Sequence, residues 1–170
     1  MAVVLRPFAP ADEPAARAAH HDFTGAGMTF LLNFEPDLSF QSWLNTLTDI
    51  RLGRHLPDNT VHSAFFAAVV DGHLVGRVSV RFELNPFLAS RGGHIGYAVL
   101  REHRRRGYAS EMLSLGLDVA NSEGVNPVLI VCDDDNVGSA TVIERCGGVL
   151  ETVVTDDEGS YRRYWIHRDR

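Results

Sequence analysis

The chain opens on a short apolar run, Val3–Arg6, that reads as a first strand closed by Pro7, and a helical segment follows from about Asp12 to His21. Residues 22–39 scatter apolar positions without a period around Gly25, Gly27 and Pro36, and read as a surface loop near a ligand. Helical spacing returns with Phe40, Trp43, Leu44, Leu47 and Ile50; Ser39 stands as its N-cap and Gly53 as its stop. The period then changes. Ala64–Val70 is continuously apolar, Asp71-Gly72 is a two-residue hairpin turn, and His73–Phe82 stays extended until Asn85-Pro86 breaks it. Ser90-Arg91-Gly92-Gly93 leads into another strand, His94–Leu100.

The second half alternates. Ala109, Met112, Leu113, Leu117 and Ala120 mark one face of a helix from Gly107 to about Ser122. Val128–Cys132 is a buried strand, Asp133–Asn136 open a helix that stops at Gly147-Gly148, and Val149–Val154 with Tyr161–His167 form a last hairpin about Asp156–Gly159. Strands joined by short links predict a mixed, mostly antiparallel sheet flanked by helices, of the α/β (α+β) class. No repeat or low-complexity stretch interrupts the order, so residues 1–170 read as a single domain.

Composition narrows the function. Sixteen basic residues against 22 acidic ones give a net charge of −6, which disfavours general nucleic-acid binding. Two cysteines, Cys132 and Cys146, make neither a disulfide framework nor a zinc site, and both fall in stretches that read as core. The eight histidines show no metal spacing, so no metal is expected. The N-terminal apolar run is too short for a signal peptide, and no run approaches the roughly 18 residues that span a bilayer. The expected setting is cytoplasmic, without membrane or nucleic-acid partners.

The most informative segment is Ala98–Ala109, where a buried strand ends in the basic loop Arg101-Glu102-His103-Arg104-Arg105-Arg106 and feeds directly into a helix through Gly107. Unpaired N–H groups at a helix start, with the positive end of its dipole, suit a diphosphate. Gly107 lets backbone approach phosphate closely, and small Ala109 leaves room. Alone, such a loop is as readily solvated charge. There is no P-loop ending and no Gly-x-Gly-x-x-Gly.

Arg104-x-x-Gly107-x-Ala109, after a strand and opening a helix, resembles the acetyl-CoA signature of the GNAT N-acetyltransferase superfamily. The segment Asp133–Gly148, with Asn136 and Ser139 followed by a short helix closed by glycine, resembles that family's next motif. The order of elements is similar from end to end. Arg81-x-x-Leu84-Asn85-x-x-Leu88, Gly92-Gly93-His94-Ile95-Gly96-Tyr97 and Tyr161-Arg162-Arg163-Tyr164-Trp165 are also similar to a bacterial subgroup of predicted acetyltransferases with no assigned substrate.

The resemblance implies a sheet splayed between the strands around Tyr97–Val99 and Val128–Cys132, with the pantetheine arm of acetyl-CoA along Tyr97, Ala98 and Val99. It implies diphosphate on the amides of Arg105, Arg106, Gly107, Tyr108, Ala109 and Ser110, with Arg104 and its neighbours meeting phosphate or adenosine. Asn136 and Ser139 match positions that contact the arm; without function they are an N-cap and a small first-turn residue. An amide near Val99 would polarise the thioester carbonyl. His94 stands where related sequences often carry Glu, making it the candidate general base, with Glu83 and Asp133 in reserve. The plain alternative is a strand-end histidine that holds the Gly-Gly loop by a hydrogen bond.

One position departs from the family. Its general-acid Tyr, seven residues after the motif Asn, is Ile143 here, so water, Tyr97 or Tyr161 would have to protonate the thiolate, or no transfer occurs. Arg81 and Asn85, with Arg77 on the same face, are candidates to touch the acceptor. The reading is acetyl transfer to a primary amine of a small molecule or peptide. Its alternative is a catalytically weak acyl-CoA sensor. Homodimers are common in the family, so a homodimer belongs to the expectation.

Overall fold

The computed structural model describes residues 2–168. Its elements run β1 (Val4–Pro7), α1 (Glu13–Gly25), α2 (Phe40–Arg51), β2 (Ser63–Val70), β3 (His73–Arg81), β4 (Ile95–Val99), α3 (Tyr108–Ser122), β5 (Val128–Asp133), α4 (Val137–Arg145), β6 (Val149–Asp156) and β7 (Gly159–Ile166). The order expected from the hydrophobic pattern is the order found. Strand ends shift by one or two residues, and two differences are larger. The first helix continues past His21 to Gly25, because Phe23 extends the buried stripe of Ala16 and Ala19 by one more turn. Leu88–Gly92, expected as open link, winds into a single wide helical turn.

The strands form two sheets, β1-β2-β3-β4 and β5-β7-β6, with every paired neighbour antiparallel. The expected splay therefore falls between β4 and β5. Asp71 and Gly72 both take positive φ, the geometry that matches the twist of a two-residue hairpin and joins β2 to β3.

Because β2 is apolar on both faces, the first sheet carries a core on each side. On one side α3 and α4 bury Met112, Leu113, Leu117, Ala140 and Ile143 against Val78, Val80, Ile95 and Ile130. On the other, α1 and α2 cover Ala67, Val69, Leu74 and Leu100. Trp43 anchors that second layer, with no exposed surface. Phe8, Phe34, Phe40 and Phe65 surround its ring, and its indole N–H donates to Leu32 O at 2.8 Å. Truncating such a residue to Ala costs about 3–5 kcal/mol. Arg6 grips the buried Asp12 through two bonds of 2.7 Å, fixing the entry to α1. Cys132 and Cys146 are free and half-buried rather than fully in the core. Among the described residues, no helix is long and apolar enough to cross a membrane.

Candidate active site

The hydrogen-bonding parity of β4 determines what faces the splay. Leu100 N–H donates to Val75 O, and Arg81 N–H donates to His94 O. In an antiparallel ladder these alternate, so Gly96 and Ala98 also turn their backbone groups toward β3. Ile95, Tyr97 and Val99 turn theirs outward, into the gap toward β5. On the far side, Leu129 turns its backbone toward β4, and by alternation so do Val131 and Asp133.

The gap closes at one end. His94 N–H donates to Leu129 O at 2.7 Å, and Leu129 N–H donates back to His94 Nδ1 at 2.9 Å. Gly93 makes this approach possible: its φ is +68°, and a β-carbon there would stand 2.7 Å from Leu129 O. An imidazole that accepts at Nδ1 is neutral and carries its proton on Nε2. Burial, helped by the Arg81 charge, holds His94 below its usual range. The lone pair expected of a general base is thus engaged by Leu129.

At its other end β4 runs into the basic turn. Arg105 and Gly107 both take positive φ, +61° and +84°, and Gly107 caps α3 without a side chain in the way. Among the described residues, no acceptor meets the N–H groups of Arg105, Arg106, Gly107, Tyr108 or Ala109, whereas Ser110 N–H returns to Gly107 O. Arg101, Arg104, Arg105 and Arg106 are exposed, and Arg104 Nε donates to Val99 O at 3.2 Å, tying the turn to the strand end. Bare amides, a helix start and clustered arginines form a fitting cradle for a diphosphate.

Across the gap, Asn136 caps α4 by accepting from Ser139 N–H at 3.1 Å. Ile143 is fully buried in the core. Tyr97 and Cys132 lie opposite each other, three residues beyond the His94–Leu129 clasp on both strands. The Tyr97 hydroxyl is buried beside the Ser139 side chain without a well-formed hydrogen bond; burial pushes its pKa up to about 12, against a smaller lowering by Ser139. Burial likewise raises the Cys132 thiol to about 11, so it stays protonated. The other reserve tyrosine, Tyr161, is buried, with its hydroxyl 3.2 Å from Ser90 Oγ.

On the α1–α2 face of the first sheet, a cavity of about 600 Å³ opens beside β3, lined by Phe65, Leu47, Ile50, Ser63, Ser79 and Arg81 among others. Asn85 also lines it, but its amide is engaged: Nδ2 donates to Asn59 O at 3.2 Å and Oδ1 accepts from Leu88 N–H at 2.9 Å. Arg81 Nη1 donates to Gly93 O at 3.1 Å. Arg77 Nη2 donates to Thr29 O at 3.0 Å, while its Nε is buried without a partner. Burial, with repulsion from Arg81, lowers the Arg77 guanidinium to about 10. Glu83 is exposed and not part of the cavity lining, accepting from His62 N–H at 3.2 Å, and Asp133 ends β5.

The fold gathers the expected residues into two groups on opposite faces of β4. Tyr97, Val99, the turn 104–110, Asn136 and Ser139 border the gap; Arg81 and Asn85 border the cavity. Ala98 belongs with the second face, since its side chain packs with the α1–α2 layer. Ser79 and Phe65 were not anticipated. The alternation Arg77-x-Ser79-x-Arg81 on an otherwise apolar strand is the signal that could have drawn attention to them.

A family model described as the acetyltransferase (GNAT) domain matches residues 2–149. The uncharacterized N-acetyltransferase YjdG of Bacillus subtilis is 31% identical over 74 residues, 43% of this chain and 41% of that protein, so the match spans under half of the relative. An acetyltransferase from Agrobacterium tumefaciens superimposes with a TM-score of 0.65 at 22% identity, covering 98% of this chain and 91% of that one. The yncA protein of Salmonella typhimurium, solved with its cofactor acetyl-CoA, gives 0.67 at 14% identity, covering 99% and 95%. RimL, a ribosomal L7/L12 alpha-N-protein acetyltransferase solved with coenzyme A, gives 0.70 at 16% identity, covering 98% and 94%. These structural likenesses, all below a quarter identical, speak to the fold. With the domain match over most of its length, the chain belongs to the GNAT acetyltransferase family.

Proposed function

We propose that the protein transfers an acetyl group from acetyl-CoA to a primary amine of a small molecule or peptide, by direct attack within a ternary complex. The observation that carries this reading is the continuity of a strand edge without a β partner with a cradle of bare amides: β4 offers Tyr97 and the Val99 N–H to the gap and ends in the turn 104–110. The amides of Arg105 to Ala109 would hold the diphosphate, with Ser110 beside them and the side chains of Arg104, Arg105 and Arg106 adding charge. The edge at Tyr97–Val99 would pair with the pantetheine arm as an added strand would, and Asn136 and Ser139 would flank it. Acetyl-CoA supplies an acyl carbon activated as a thioester.

The protein's own groups do the rest. The Val99 N–H, fixed by the ladder and facing the gap, polarises the carbonyl. The acceptor nitrogen attacks the acyl carbon, the carbon–sulfur bond breaks, and the thiolate takes a proton from the Tyr97 hydroxyl, held neutral by its burial. The acceptor ammonium first loses one proton to solvent through the open cavity; the second, shed by the nitrogen as the amide forms, passes through solvent to restore the Tyr97 hydroxyl, so that one proton is released per turnover. His94 serves here as the clasp that holds the two strand edges in register, since its basic nitrogen is engaged by Leu129. Calorimetry with acetyl-CoA and CoA release across an amine panel test the reading; a protein that binds neither acetyl-CoA nor CoA overturns it.

The core burial of Ile143 favours a second reading, an acyl-CoA sensor without efficient turnover. Tight CoA binding with no transfer to any amine supports the sensor.

A further inference from the structure

Arg77, Ser79 and Arg81 alternate along β3 and point to the same face, into the layer between the sheet and α2. Beside them the next strand carries Gly96, which leaves the space over the sheet empty. A β-carbon on Gly96 would stand 3.5 Å from Arg77 Nη1 and 3.7 Å from Arg81 Nη1, so both guanidinium tips crowd one point on the face of β4. That point adjoins Tyr97 and Val99, the edge on which the reacting carbonyl lies in the acetyl-transfer reading.

Two like charges at one buried point are costly. Among the described residues neither arginine forms an ion pair; the charge acting on Arg77 is that of Arg81, and it is repulsive. The carbonyls of Thr29, Gly92 and Gly93 satisfy some N–H groups but bring no net negative charge, and Arg77 Nε stays unpartnered. The adjoining cavity of about 600 Å³ has the size of small-ligand sites, and none of its lining residues is acidic. Its walls are hydroxyls and amides from Ser63, Ser79, Asn33, Asn59 and Thr60 with apolar Phe65 and Leu47. A polycation entering it would find no acid in its lining and Arg81 as the charged residue of its wall. Arg81 lines the cavity and Arg77 stands behind it, its guanidinium 5.8 Å from the centroid of the Phe65 ring but without an ion pair among the described residues. In a protein whose net charge is −6 this acid-free lining is a local reversal of sign.

We propose that Arg77 and Arg81 bind a carboxylate carried by the acceptor, so that the amine acetylated belongs to an amino acid or the free end of a short peptide. The proposal rests on the acetyl-transfer reading and names the acceptor class of that site. A carboxylate at the paired guanidinium tips leaves the amino group, one or more carbons away, directed along β4 toward the thioester.

The test measures CoA release from acetyl-CoA with L-amino acids and dipeptides, with their C-terminal amides, and with spermidine, for the wild type, Arg77→Gln and Arg77→Lys. Free carboxylates are expected to exceed their amides at least tenfold in kcat/KM. Arg77→Gln removes most of that preference by raising the acceptor KM while the acetyl-CoA KM stays unchanged, and Arg77→Lys, which keeps the charge, restores part of it. Amides or spermidine used as well as carboxylates, or a preference that survives Arg77→Gln, would overturn the proposal. So would a preference for succinyl-CoA over acetyl-CoA that Arg77→Gln abolishes, because the carboxylate would then ride on the donor. Calorimetry with N-acetyl amino acids and their amides, in the presence of CoA, reads the same discrimination without turnover. Failure of acetyl transfer and failure of the anion site therefore give different results.

Discussion

His94 and Leu129 hold each other by two hydrogen bonds, backbone to backbone at 2.7 Å and Leu129 N–H to His94 Nδ1 at 2.9 Å, at the vertex where β4 and β5 part. Replacing His94 by Ala leaves a half-buried N–H unpaired and should cost about 1–3 kcal/mol, measured by chemical denaturation. Acetyl-CoA affinity should fall as the edges lose register. Both His94 and His20, which accepts from Leu31 N–H, are held below the usual histidine value of 6.5, chiefly by burial. Their neutral forms favour the folded state, so this contribution is complete above about pH 6.5 and is lost as pH falls through their lowered values. A wild-type stability that stays level from about pH 7 to pH 5 would contradict the neutral assignment.

Gly107→Glu should abolish diphosphate binding while sparing the fold. The residue is exposed and a β-carbon there meets nothing within 4 Å, so only the positive φ of +84° is strained. A carboxylate among the bare amides should weaken acetyl-CoA binding by roughly a hundredfold or more, about 2.7 kcal/mol. Calorimetry reads the affinity and circular dichroism the fold; unchanged affinity would remove the diphosphate from this turn.

Tyr97→Phe deletes a buried hydroxyl that has only a poorly formed contact with Ser139, so stability should hold or rise slightly. If Tyr97 protonates the thiolate, kcat falls by roughly 10²-fold, the usual scale for one general acid, with the KM for acetyl-CoA little changed. An unaltered kcat would assign the proton to water.

Ile143→Tyr restores the family's residue at that position and should still yield no faster enzyme. Ile143 has no exposed surface, and a β-carbon on Gly148 would already stand 2.5 Å from its Cγ2. The larger ring overpacks this corner, at about 1–3 kcal/mol, seen as a lower Tm. A gain in kcat would show that the ring can reach the gap.

Local pattern carried most of the architecture. The period of Phe40, Trp43, Leu44 and Ile50 made α2, the Asp71-Gly72 pair made the hairpin, and Gly107 after three arginines marked the cradle, because helix spacing, turn φ and bare amides are properties of adjacent residues. The amphipathic stripe of α1 was legible too, except that Phe23 carried it one turn further than the glycines suggested.

For His94 the sequence offered two roles, a base or a histidine that holds the Gly-Gly loop, without a means to choose between them. Whether an imidazole beside Gly-Gly is a base or a clasp depends on Leu129, 35 residues away in sequence, coming within 2.9 Å of one nitrogen. Asn85 likewise spends its amide on Asn59 and Leu88, partners set by how two loops pack. Arg77 and Arg81 could be named from the sequence, but not that, among the described residues, neither forms an ion pair. By itself, then, the sequence determined the order of elements and the basic turn, both written in short-range spacing, while the splayed pair of strands followed from the family resemblance of its motifs. Only the tertiary structure decided which side chains remain chemically free, since a lone pair or a charge is spent or spared by groups that folding brings from distant parts of the chain.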